Sequence, residues 1–214
     1  MVDSRKKHWN DLYASKKIEE VSWYQKVPQT SLDFILSSNI LKNDPIIDIG
    51  GGDSFLVDFL LGNNFTDITV LDISDISIAR AKDRLGPRAD DVNWIISDIC
   101  NFNVAREYAL WHDRAVFHFL KEPDETNHYL RIVRKGIADN GKLILGTFSE
   151  KGPERCCSLD VKRYSTSDLS VLFSKNFTCE NKLNTIHRTP FGKEQAFSFV
   201  ELIKKNKIIY GIHL

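Results

Sequence analysis

The stretch Ile46-Ile47-Asp48-Ile49-Gly50-Gly51-Gly52-Asp53-Ser54 constrains this chain more than any other. An apolar run that breaks into glycines and then turns helical is a buried strand entering a helix. A second apolar run, Ile68-Thr69-Val70-Leu71, ends on Asp72, 20 residues beyond Gly52. Backbone without Cβ atoms can approach a ligand closely and adopt conformations that other residues resist. An acid on the tip of the second strand can accept two hydrogen bonds from a ribose diol. Together they are the parts of an α/β fold that holds a nucleoside.

Spacing narrows which nucleoside. A dinucleotide fingerprint, G-x-G-x-x-G, needs glycine at position 55 if it starts at Gly50, and at positions 53 and 56 if it starts at Gly51. The chain has Phe55, Asp53 and Leu56 there. An NAD(P)-dependent oxidoreductase is therefore a weakened alternative.

Helical and extended patterns alternate along the rest of the chain. Helical spacing covers residues 4–16, through Trp9, Leu12 and Tyr13, and residues 30–41 after Pro28. Strand 46–49, helix 54–61, strand 68–71, helix 75–85 closed by Gly86-Pro87, and strand 92–96 followed by Asp98 complete a βαβαβ half. A strand around 108–112, a helix over 122–138, the Asn140-Gly141 turn and strand 142–147 repeat the rhythm. Helix 168–173 and a hairpin of strands 177–186 and 195–203 follow. The expected fold is a Rossmann-like, doubly wound α/β sheet of seven mostly parallel strands, with two N-terminal helices and a C-terminal antiparallel hairpin.

In such sheets ligands lie outside the carboxyl ends of the strands. The successive tips here carry Asp48, Asp72, Asp98 and His112-Asp113. Acids at four successive tips exceed what mere loop chemistry requires.

Charge excludes some partners. The 29 basic and 29 acidic residues balance, so no global attraction to nucleic acid or an anionic membrane is built in. The basic clusters Arg131, Arg134, Lys135 and Lys204-Lys205-Asn206-Lys207 read as solvated faces or strand edges. Cys100, Cys156, Cys157 and Cys179 lack zinc-site spacing and disulfide-scaffold density, so they read as reduced thiols, and no metal site is expected. With no apolar signal core and no run of membrane-spanning length, a cytoplasmic protein is expected.

Asp48, Gly50 and Gly52, with Ser54 in place of a last glycine, resemble the D/E-x-G-x-G-x-G pattern of the class I S-adenosylmethionine (SAM) dependent methyltransferases. The resemblance runs from about Trp9 to Ile203. It is narrower to a bacterial branch of that class, through Val21-Ser22-Trp23-Tyr24-Gln25, the Trp111-His112-Asp113-Arg114 segment and His187-Arg188-Thr189-Pro190-Phe191-Gly192. The layout is distantly similar to methyltransferase-like protein lysine methyltransferases. The resemblance implies one domain over 1–214: a helical lid region 1–43, a SAM-binding core 44–150 and a substrate-side region 151–214.

By the same resemblance Gly50, Gly51 and Gly52 line the methionine moiety beside Asp48, and Asp72 binds the ribose hydroxyls. Ile73 packs on adenine, Asp98 accepts from its amino group, and Ile99 offers backbone to the ring. The product would be S-adenosylhomocysteine (SAH). Trp23 and Tyr24, favoured over Trp9 and Tyr13, would form a lid or an aromatic wall.

The fourth-strand tip, His112, Asp113 and Arg114, is the expected catalytic stretch. His112, Asp113 or His118 could orient or deprotonate an amine acceptor, with His118 more in keeping with packing among Phe117, Phe119 and Leu120. Arg114 either pairs with an acid on the following helix or holds an anionic substrate. His187, Arg188 and Phe191 either close the substrate pocket or form a plain hairpin loop. Methyl transfer itself demands alignment and exclusion of water more than a strong base.

His112-Asp113-Arg114-Ala115 is unlike the Asn/Asp-Pro-Pro-Tyr tetrapeptide of enzymes that methylate base amines, so nucleic acid is not expected as acceptor. A small molecule and a protein lysine both stay open, as does the oligomeric state. The further alternative is a non-catalytic SAM-fold interaction protein.

Overall fold

The computed structural model describes residues 2–206. Its main sheet holds β1 (Ile46–Ile49), β2 (Ile68–Asp72), β3 (Val92–Ile96), β4 (Tyr108–Arg114), β5 (Ile137–Phe148), β6 (Phe177–Arg188) and β7 (Glu194–Lys204). Their order is β3-β2-β1-β4-β5-β7-β6. The first five strands are parallel, β7 runs antiparallel to β5, and β6 antiparallel to β7. The helices are α1 (Val2–Ser15), α2 (Gln29–Ser37), α3 (Leu56–Gly62), α4 (Asp75–Leu85), α5 (Pro123–Gly136) and α6 (Thr166–Phe173). The seven-stranded, mostly parallel architecture with a terminal antiparallel pair is the one the sequence predicts.

Every residue of β1 and β2 is buried, as expected of central parallel strands covered on both faces. Alternate side chains feed two cores. Ile47, Ile49 and Trp111 pack with Tyr129 and Val133 of α5 and Leu169 and Phe173 of α6. Ile46, Val70, Leu110 and Ile144 pack with Leu32 and Ile35 of α2 and Leu56 and Leu60 of α3. Burying each such side chain contributes about 1.5–3 kcal/mol, so this parity is strongly fixed and decides where the polar residues of β1 and β4 point.

Three local features depart from expectation. Strand β5 begins directly after α5, and the Asn140-Gly141 turn is a kink inside it, with Asn140 at φ 61°. A short hairpin pairs Arg155–Cys156 with Leu159–Asp160 and turns through Cys157 and Ser158, both at positive φ. Lys204, expected on a solvated edge, is buried: its Nζ donates to Ile137 O at 2.5 Å and lies 3.5 Å from Asp139. Lys207 of that cluster is outside the described residues.

Candidate active site

The glycine turn leaves β1 with Gly50 at φ 68° and Gly52 at φ 23°. Gly50 N donates to Leu71 O at 2.7 Å, which ties the turn to β2. A Cβ on Gly50 would collide with Val116, and one on Gly52 with Asp72 Oδ2 and Ser77 Oγ. The glycines are therefore needed both for conformation and for clearance. At the far end Asp53 is buried and pinned to α4, 2.9 Å from Arg80 Nε and 2.5 Å from an Arg84 nitrogen.

A cleft opens beyond the carboxyl ends of β1, β2 and β4. Asp72, Ile73, Asp98 and Ile99 line one end. Asp72 Oδ1 accepts from Ser74 N at 2.8 Å and Asp98 Oδ1 from Cys100 N at 2.9 Å, so backbone sets both carboxylates. Burial pushes the Asp72 carboxyl up to about 7. Helix α1 roofs this end with Arg5, Trp9 and Tyr13. Arg5 lies 3.5 Å from Asp98 Oδ2 and also pairs with Glu125. Trp9 meets the Trp23 and Phe119 rings edge-on, with centroids 6.1 and 5.3 Å apart.

The other end is lined by Arg114, His118, Phe148, Cys156, Gln195 and Phe197. The Arg114 guanidinium lies 4.6 Å from the centre of the Phe197 ring and makes no ion pair among the described residues. Of the two readings of Arg114, an ion pair with the following helix is not made among the described residues. Burial lowers Arg114 to about 10, within the range where it keeps its charge. Burial and the Arg114 charge lower His118 to about 3 and also lower His187. Neutral His118 accepts Phe148 N at Nδ1, 3.4 Å, which leaves its proton on Nε2.

Other residues chosen from sequence fall in several places. Trp23, Gly50, Asp72, Ile73, Asp98, Ile99 and Arg114 share the cleft. Asp48 and Gly51 lie behind it around a smaller cavity, while Tyr24 lines a neighbouring recess and meets Phe55 edge-on. His112 and Asp113 are not in the cleft. Parity sends His112 toward α2, where it bridges Asp48 and Ser31, and sends Asp113 toward α5, where Tyr129 Oη donates to it at 2.6 Å. Asp113 Oδ1 also accepts Val116 N at 2.6 Å, and burial raises its carboxyl to about 6. In this arrangement both hold the turn and the following loop, and neither lines the cleft in which the catalytic stretch was expected.

Of His187, Arg188 and Phe191, only His187 is buried, its Nε2 2.8 Å from Ser22 O, while Arg188 and Phe191 are exposed. Cleft residues that sequence reasoning missed are Arg5, Phe148, Cys156, Gln195 and Phe197. They come from distant elements and carry no local motif.

Two backbone-set acids, a clearance-limited glycine turn and an aromatic end in one cleft, on this strand order, are the arrangement of the class I SAM-dependent methyltransferase fold. More particularly, residues 16–158 match the family model described as Nodulation protein S (NodS), and the chain belongs to the NodS family. It is 25% identical over 154 residues to malonyl-[acyl-carrier protein] O-methyltransferase 1 of Ilyobacter polytropus, over 71% of this chain and 55% of that one. The chain thus spans about half the length of that curated relative. Among solved structures, the N-methyltransferase NodS from Bradyrhizobium japonicum WM9 in complex with SAH superposes with a TM-score of 0.68 at 17% identity, covering 91% of this chain and 98% of that one. A structure concerned with conversion of a disulfide bond into a thioacetal group during echinomycin biosynthesis gives 0.76 at 15% identity, over 94% and 93% of the chains.

Proposed function

We propose that this chain transfers a methyl group from SAM to an acceptor bound at the Arg114 end of the cleft. The observation that carries the reading is that a single cleft joins the Asp72–Asp98 end to the Arg114–Phe197 end past Gly50. A donor and an acceptor placed at the two ends would meet beside the glycine turn.

When bound, SAM supplies an electrophilic methyl group on a sulfonium. Asp72 would accept from the ribose hydroxyls and Asp98 from the adenine amino group, while Ile73 and Ile99 pack on the ring. Gly50 lets the backbone approach the methionine portion. Trp9, Tyr13 and Trp23 exclude water above it, which strengthens alignment as the main source of rate.

Neither His118 nor Asp113 is set up as a strong base. His118 has its lone pair engaged by Phe148 N, and Asp113 is fully buried against Tyr129. The acceptor would arrive neutral at its nucleophilic atom, or pass its proton to water after transfer. The named activities of the relatives include both O- and N-methylation, and neither atom is favoured for this chain on that ground. Phe55 stacks under Arg84, 4.4 Å from ring centre to guanidinium, so the position a dinucleotide fingerprint would give to glycine is filled. That weighs against NAD(P).

Calorimetry with SAH, followed by transfer of labelled methyl from SAM into a lysate split into protein and small-molecule fractions, tests the proposal. Saturable SAH binding and label in one fraction are expected. A folded chain that binds no SAH would overturn it, and tight SAH binding with no labelled product would favour a non-catalytic role.

A further inference from the structure

We propose that the methyl acceptor is a small molecule bearing a carboxylate, held by Arg114 against Phe197, with an N–H or O–H of the same molecule donated to Gln195. The inference rests on the methyltransferase reading and adds the acceptor class to it.

Arg114 is a charged group that makes no ion pair among the described residues, its guanidinium lying over Phe197. The charges it feels come from the Cys156 thiol, whose own hydrogen-bond contact is with Cys157, and from Asp48, which is already engaged by His112 at 2.7 Å. A guanidinium in a partly desolvated aromatic cleft is costly unless an anion joins it, and its planar fork matches a carboxylate bidentately.

Independently, Gln195 is 8% exposed, lines the same cleft, and has an Oε1 with no hydrogen-bond partner. Leaving a buried carbonyl unpaired is costly, and a ligand N–H or O–H would recover that cost. The two groups together describe an acid with a neighbouring donor.

The charge also selects among acceptors. A lysine ammonium would meet the Arg114 charge, which together with burial already disfavours protonation of His118 and His187. A phosphate dianion would call for a second cation, and among the described residues none lines the Arg114 end of the cleft. Phe148 and Phe197 instead offer flat apolar walls at the same end.

The test uses 2-aminobenzoate and its neutral isostere 2-aminobenzamide, titrated calorimetrically into the full chain with and without saturating SAH. The acid should bind at least tenfold more tightly than the amide. Arg114→Met should erase that difference while SAH affinity stays within threefold of wild type. Gln195→Leu should weaken both probes alike. If Arg114→Met proves unfolded, Arg114→Lys serves: it should keep a reduced preference for the acid.

Equal affinity for the two probes in the wild-type chain overturns the proposal. So does a loss of SAH affinity in Arg114→Met with methylthioadenosine affinity retained, since Arg114 would then hold the methionine carboxylate. Gln195→Leu without effect on either probe overturns the Gln195 contact. Wild-type protein that binds no SAH removes the donor reading alone, because the acid and amide comparison without SAH still decides the acceptor class.

Discussion

Asp48 on β1 and His112 on β4 are register partners in adjacent parallel strands, and Asp48 Oδ1 lies 2.7 Å from His112 Nδ1 in full burial. The other ring nitrogen, Nε2, meets Ser31 Oγ of α2 at 2.9 Å. The pair therefore bolts the strand that carries the glycine turn to its neighbour and to the helix above. His112→Ala would strand the Asp48 carboxylate in the interior, at a cost of about 1–3 kcal/mol. Thermal or denaturant unfolding should show that loss, with residual methyl transfer tracking the folded fraction. Full stability with activity abolished would return His112 to a chemical role.

Gly52 faces Asp72 Oδ2 and Ser77 Oγ so closely that no Cβ fits, and its φ of 23° disfavours any other residue. Gly52→Ala should push Asp72 out of place and lower SAH affinity at least tenfold, read by calorimetry. Gly62 has open space around its Cβ position, so Gly62→Ala should leave SAH affinity unchanged and controls for helix effects.

The contrast between Gly52 and His112 shows what the sequence made legible. Strand β1, strand β3 and helix α4 are bounded by glycines, acids and a Ser74 cap, so their limits read off to the residue. The acids Asp72 and Asp98 stand just where strands β2 and β3 run out into loops, and both line the cleft. The direction of His112 and Asp113 was not legible because β4 is largely buried on both faces, so its run shows no polar alternation from which to read direction. Arg5 and Gln195 reach the cleft only through docking of α1 and through the β5–β7 pairing, contacts that no local pattern encodes.

Burial raises Asp72 to about 7, far above the ordinary carboxylate value of about 3.9. In that window the folded chain holds a proton that the unfolded chain has lost. Stability without ligand should therefore fall as pH rises from about 4 to about 7, and Asp72→Asn should flatten that part of the profile. Ribose hydroxyls donate to the ionised form, so SAH affinity should change in the opposite sense, strengthening as pH rises through about 7. Below that value the affinity should fall by up to about tenfold per pH unit. Calorimetry in buffers of different ionisation enthalpy should detect proton release on binding near pH 7, absent in Asp72→Asn.

Arg80 of α4 joins two parts of the site without lining the cleft. Its Nε lies 2.9 Å from Asp53 Oδ2 at the end of the glycine turn. One terminal nitrogen donates to Tyr13 O at 2.9 Å and Lys16 O at 2.8 Å, closing the C-terminus of α1. The roof and the turn are thus held by one side chain, and further polar ties from Lys6 to Asp75 and from Asn10 to Asp75 dock the same helix. Arg80→Met should release both, lowering SAH affinity at least tenfold and speeding hydrogen exchange in residues 5–15 while the sheet stays protected. Arg80→Lys can keep the charge on Asp53 but cannot span both carbonyls, so it should recover part of the affinity and little of the α1 protection. Uniformly faster exchange across β1 and β4 in Arg80→Met would instead mean that the residue supports the whole fold, and the link between roof and turn would fail.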